Sequence, residues 1–109
     1  MIKAITVTTQ FDATHCWPDC NLPPVSYLTQ PHRHIFWVRV SVFVKDDRQI
    51  EFISFKKQLD AFILMNYKGM FLGSKSCEKI AEEILIHLNV YHVSVFEDNE
   101  NGAEVWSED

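Results

Sequence analysis

The chain has 109 residues, a length that holds one domain and leaves no room for a second core. Ten basic against fifteen acidic residues give a formal charge of −5, the wrong sign for a sequence-independent nucleic-acid binder. Hydrophobic residues at 47% and charged residues at 23% exclude a disordered profile, and no apolar run approaches the roughly 18 residues of a membrane span.

In residues 2–15, Ile5, Val7, Phe11, Ala13 and His15 share one parity, with Thr6, Thr8, Gln10 and Asp12 on the other. That period of two predicts a half-buried strand. Residues 16–24 carry prolines and Asn21 and read as a long loop without a regular element. A second strand is predicted over 32–45, with His32, His34, Phe36, Val38, Val40, Val42 and Val44 on one face. Asp46-Asp47-Arg48 breaks it as a turn.

Ser54 is the expected N-cap of a helix whose apolar positions are Phe55, Leu59, Phe62 and Ile63. Gly69 and Gly73 bracket an irregular stretch. Ser76 then caps a second helix with Ile80, Ala81, Ile84, Leu85 and Leu88 on one stripe. A third strand over 91–97 and a short last one over 103–106 form a hairpin about Asp98-Asn99-Glu100-Asn101-Gly102. The order is β-β-α-α-β-β, with two helices over one face of a four-stranded antiparallel sheet. The fold class is α+β, one domain over 1–109.

Met1-Ile2-Lys3-Ala4 lacks the layout of a signal peptide. Cys16, Cys20 and Cys77 are an odd set that does not form a disulfide framework. A reduced, cytoplasmic protein is expected. Aromatic residues at 13% are many for a chain this short, so part of that surface is expected to be buried between subunits.

His15 ends the first strand, and His32 and His34 open the second. A spacing of two sends both side chains to one face, about 7 Å apart along the backbone. If the strands pair antiparallel, the end of the first lies beside the start of the second and three imidazoles converge. Three nitrogen ligands with a fourth position open is the layout of a catalytic zinc site. Such a site also needs an acceptor behind each ring, which the sequence does not identify. Cys16 is a weaker ligand candidate, because it points to the opposite face if the strand continues. His87 and His92 read as surface or partly buried residues.

With these residues in view, the chain resembles the 6-pyruvoyltetrahydropterin synthase and 6-carboxytetrahydropterin synthase family of the tunnelling fold. FDATH at 11–15 is similar to the family's Phe-x-Ala-x-His, and PHRHIFWVRVSV to its His-Gly-His followed by a long strand. IEFISFK at 50–56 resembles its Ile-Asp-Phe-x-x-Leu-Lys helix start. SCEKIAEEI and the later VSVFED are similar to its Thr-x-Glu-Asn-x-Ala helix and its final-hairpin glutamate. The resemblance implies zinc on His15, His32 and His34, a pterin ring anchored by Glu97, and Ser76 and Glu78 at the substrate. A carboxylate suits the anchoring role, since it accepts two parallel hydrogen bonds from the ring amino group and ring N–H. Also implied are action on 7,8-dihydroneopterin triphosphate, with proton transfer by a cysteine thiolate and an Asp–His pair, and a homo-hexamer of two stacked trimeric rings.

The departures fall on the proton-transfer groups. Where the family's thiol stands, four to six residues before the His-x-His pair, this chain has Ser26, Tyr27 and Leu28. Cys20, on the same loop, is the candidate catalytic thiol. The segment between the helices, LMNYKGMFLGSKS, contains no Asp and no His. Arg33 replaces the glycine between the histidines and is expected on the opposite face, solvated, salt-bridged or against a phosphate. Glu51 replaces the helix-start Asp. Three readings stay open: a zinc-dependent pterin enzyme with altered proton transfer, a zinc-containing pterin- or purine-binding protein without lyase activity, and a purely structural domain.

Overall fold

A computed structural model describes residues 1–108. Two long strands, β1 (Lys3–His15) and β2 (His32–Val44), form the backbone of the sheet. They pair antiparallel in unbroken register from Lys3↔Val44 to His15↔His32. A 3-10 helix (Pro23–Thr29) lies between them, and α1 (Phe52–Asn66) and α2 (Cys77–Leu88) follow β2. β3 (His92–Glu97) returns beside β2, from Phe36↔Glu97 to Ser41↔His92, and β4 (Asn101–Trp106) completes the order β1-β2-β3-β4. This is the expected α+β architecture, one four-stranded antiparallel sheet with its helices.

The alternation of β1 and β2 works because only one sheet face is covered. Val7, Phe11 and Ala13 of β1, Phe36, Val38 and Val40 of β2, and Val93 and Val95 of β3 are buried. They meet Phe55, Leu59 and Ile63 of α1 and Ile80, Ala81 and Ile84 of α2 in one core. The other face keeps Trp37, Phe43 and Trp106 exposed. No helix among the described residues is long and apolar enough to cross a membrane.

Two local expectations are corrected. The N-cap of α1 is Glu51, not Ser54: its carboxylate accepts from the backbone N–H of Ile53 and of Ser54, the latter at 3.1 Å. A glutamate can reach over the first turn, and its charge suits the positive helix end; Ser54 Oγ instead donates to Glu51. Pro23 and Pro24, read as excluding regular structure, begin the 3-10 helix, because proline's fixed φ and missing N–H suit a first helical turn. The Ser76 cap of α2 is as expected, accepting from Lys79 N–H at 3.1 Å.

The sheet is extended where the histidines lie. Residues 69–73 run beside the end of β1: Gly69 N–H donates to Asp12 O, Thr14 N–H to Met70 O and Cys16 N–H to Gly73 O. Gly69 and Gly73 have φ of 71° and 63°, which lets the chain turn into and out of this short run. On the far side, Asp98 N–H donates to Ile35 O at 2.7 Å and Asp98 Oδ1 accepts from Ile35 N–H at 3.0 Å. Asp98 and Asn99 sit at φ 53° and 57°, a tight hairpin turn that these two residue types tolerate. This turn fixes Glu97 and Asp98 beside the start of β2.

Candidate metal centre

The register places His15 opposite His32, with His34 two residues along the same face. The ring centroids are 4.6 Å (His15–His32), 5.0 Å (His32–His34) and 5.5 Å (His15–His34) apart, all edge to face. One ligand atom from each ring lies within 4.8 Å of the other two. The three imidazoles therefore converge as the strand-end spacing predicts.

Each ring is held from behind. His15 Nδ1 donates to Lys75 O at 2.8 Å, His32 Nδ1 to Gln30 O at 2.8 Å, and His34 Nδ1 to Asp98 Oδ2 at 2.7 Å. These oxygens only accept, so the neutral rings carry their proton on Nδ1 and a lone pair on Nε2. His15 Nε2 and His34 Nε2 are buried without a hydrogen-bond partner, a costly state for a polar atom with nothing to bind. Orphaned, converging lone pairs on rings oriented by outer acceptors are what a zinc ion requires. The donor set fits that metal.

Glu97 completes the arrangement. Its Oε1 lies 3.1 Å from His15 Nε2 and its Oε2 3.1 Å from His34 Nε2, ion pairs whenever those rings are protonated. A hydrogen bond from the protonated His15 ring holds the Glu97 carboxyl below the ordinary carboxylate range, outweighing the opposing effect of burial. Burial works against a charged His15 ring, but Glu97 and the Lys75 carbonyl raise its pKa above the ordinary value. Asp98 is likewise held low, first by its hydrogen bond from His34.

A cavity of about 500 Å³ opens beside this cluster, within the size range of small-molecule sites. Its wall includes His15, His32, Glu97, Ser76, Cys77 and Glu78. Ser76 and Glu78 thus stand at the cavity, brought there by the first turn of α2. Cys77 is buried and its Sγ is 3.7 Å from Glu97 Oε1. Burial, then the Glu97 charge, pushes this thiol up to about 12, so it is a protonated donor at neutral pH.

Cys20 is elsewhere: its Sγ faces Val25 O at 3.8 Å, and it is not part of the cavity wall, whereas Cys16 is. Arg33 turns to the opposite face, 3.5 Å from Asp12. His87 is exposed and stacks on Phe62; half-buried His92 stacks on Trp106 and contacts Glu104.

Sequence reasoning missed the outer acceptors. Asp98 reads as a turn residue, and only its place beside Glu97 hints at more. A second missed group is a network behind His15. Lys75 Nζ donates to Glu83 at 2.8 and 3.0 Å and Tyr67 Oη donates to Glu83 at 2.8 Å, which fixes the residue whose carbonyl orients His15.

No family model and no curated protein matches the sequence. Solved structures do match. The 6-pyruvoyl tetrahydropterin synthase of Caenorhabditis elegans superposes with a TM-score of 0.81 at 14% identity, covering 99% of this chain and 97% of that one. An uncharacterized protein from Wolinella succinogenes superposes with a TM-score of 0.84 at 14% identity, covering 99% of both chains. From end to end, the chain has the fold of 6-pyruvoyl tetrahydropterin synthase.

Proposed function

We propose that this chain is a zinc-dependent protein of the 6-pyruvoyl/6-carboxytetrahydropterin synthase type, acting on 7,8-dihydroneopterin triphosphate or a related pterin. The observation that carries the reading is the set of three imidazoles, each donating Nδ1–H outward, with two buried Nε2 atoms unpartnered. His15, His32 and His34 would hold the metal. Bound there, zinc would supply Lewis-acid polarisation of substrate oxygens.

The chain's own residues would do the rest. Glu97 would accept the paired N–H groups of the pterin ring, and Ser76 and Glu78 would line its approach. Cys20 is the thiol assigned to proton transfer, which requires the loop around it to turn Sγ from Val25 O towards the cavity. The exposed outer edge of β4 and the uncovered aromatics Trp37, Phe43 and Trp106 favour assembly through the sheet, in a homo-hexamer of two trimeric rings.

A second reading is favoured by one observation. Cys77 at the cavity is held protonated, and Cys20, the thiol assigned to proton transfer, faces Val25 O. That suits a zinc-containing pterin- or purine-binding protein without lyase activity. Incubation of the zinc-loaded protein with 7,8-dihydroneopterin triphosphate separates the two: release of inorganic triphosphate is expected from the enzyme, and binding without release from the binding protein. Neither binding nor release refutes both.

A further inference from the structure

We propose that the uncovered face of the sheet carries a small-molecule site of its own, in which Arg39 receives the carboxylate of a single-ring aromatic acid. The proposal does not depend on the metal reading. Arg39 has the opposite parity in β2 to His32 and His34, so the site and the histidine cluster lie on opposite faces of the sheet.

The strand register lays the site out. Thr8, Arg39, Ser94 and Glu104 stand in one row across the four strands, each opposite the next. Trp37 and Phe96 pair in the adjoining row. A Cβ at Gly102 would come within 2.8 Å of Phe96 Cδ1, so the Phe96 ring lies over that glycine. Ser94 is small and stands among Arg39, Phe96, His92 and Glu104, and the face dips there. The depression holds about 320 Å³, with Thr8, Trp37, Arg39, Ser94, Phe96 and Glu104 in its wall. That is the small end of the range for ligand sites. Joining sheets edge to edge leaves these side chains standing on the face.

Three observations select the occupant. Arg39 is exposed and has no acidic partner among the described residues, whereas Arg33 on the same face stands 3.5 Å from Asp12. Its planar guanidinium offers the two parallel N–H groups that match a carboxylate. Ser94 is only 7% exposed, yet its hydroxyl makes no hydrogen bond among the described residues. A buried hydroxyl left so is costly, and a carboxylate oxygen beside Arg39 would satisfy it. Trp37, 41% exposed, and Phe96 supply the aromatic wall against which a flat ring packs.

Glu104 sets the charge of the ligand. It stands two strands from Arg39, about 10 Å away, and its carboxylate meets His92 at 3.0 Å. It therefore leaves Arg39 unpaired and disfavours a second negative group at the far end of the ligand. A monoanion fits.

The test titrates the full chain, as purified, with benzoate, benzamide, cyclohexanecarboxylate and terephthalate by calorimetry. Benzoate should bind with a Kd of about 1 mM or below. Benzamide, which lacks the charge, should bind at least about 10-fold more weakly. Cyclohexanecarboxylate and terephthalate should each lose a smaller factor, and Glu104→Gln should restore terephthalate. Arg39→Gln should weaken benzoate at least about 10-fold, Arg39→Lys by less, and Ser94→Ala by about 2- to 10-fold. Benzoate should quench tryptophan fluorescence in the wild type and not in Trp37→Phe. Carboxylates also ligate metals, so the titration is repeated in His32→Ala, where benzoate affinity should stay within about twofold. Equal affinity for benzoate and benzamide, unchanged affinity in Arg39→Gln, or loss of benzoate in His32→Ala would each overturn the proposal. So would the absence of binding at about 10 mM benzoate.

Discussion

Replacing Asp98 by Asn probes the support of the metal site with little disturbance elsewhere. Asp98 accepts from two donors at once, His34 Nδ1–H at 2.7 Å on Oδ2 and Ile35 N–H at 3.0 Å on Oδ1. An amide has one oxygen, so in the variant one of these donors faces an NH2 group. The turn itself survives, because φ of 53° at this position suits Asn as well as Asp. Freed from its acceptor, the His34 ring loses its fixed tautomer and plane. Losing an outer partner of a metal-ligating histidine costs 10–100-fold in affinity. Asp98 is 45% exposed, so water takes over part of its role and the low end applies, about 10-fold or about 1.4 kcal/mol. The metal-free protein should lose only about 1 kcal/mol of stability, one hydrogen bond's worth. Zinc titration against a chromophoric chelator measures the first quantity and urea unfolding the second. An Asp98→Asn protein with affinity within twofold of wild type, when His34→Ala has lost binding, would show that Asp98 does not support the His34 ring.

Two further outcomes follow from the packing and the charge network. Phe36 is fully buried and stacks on Phe11 at 5.1 Å between the histidines and the core, so Phe36→Ala should cost about 3–5 kcal/mol in urea unfolding. Burial tends to raise the Glu83 carboxyl, but hydrogen bonds from Lys75 and Tyr67 outweigh it and bring it below its ordinary value of 4.5. That stabilisation is complete above the ordinary value and is lost as pH falls through the lowered one. The wild type should therefore destabilise more steeply than Glu83→Gln below about pH 4.5, as read by melting temperature against pH.

The strands and the histidine triad were legible because each follows from periodicity. One face of β1 and β2 is buried, so apolar residues alternate, and the same parity carries His15, His32 and His34 to one end of that face. The helix stripes were legible for the same reason. The start of α1 was not, since Glu51 and Ser54 both bear oxygens able to cap, and only the backbone path decides which reaches the free N–H groups. The groups behind the rings were hidden more deeply. Two of the three acceptors are the carbonyls of Lys75 and Gln30, whose side chains say nothing about that use. The run of 69–73 along β1 has no alternation at all, and its position depends on contacts with a strand more than fifty residues earlier in the chain. Nothing in the sequence ties Cys77 to Glu97, twenty residues later, until the hairpin brings the two together.

Elemental analysis of the purified chain decides whether the three imidazoles hold a metal. One zinc per chain is expected in the wild type and none in His32→Ala or His34→Ala. A wild-type protein that stays folded, takes up no zinc from a buffer containing it, and melts at the same temperature with and without zinc would contradict it.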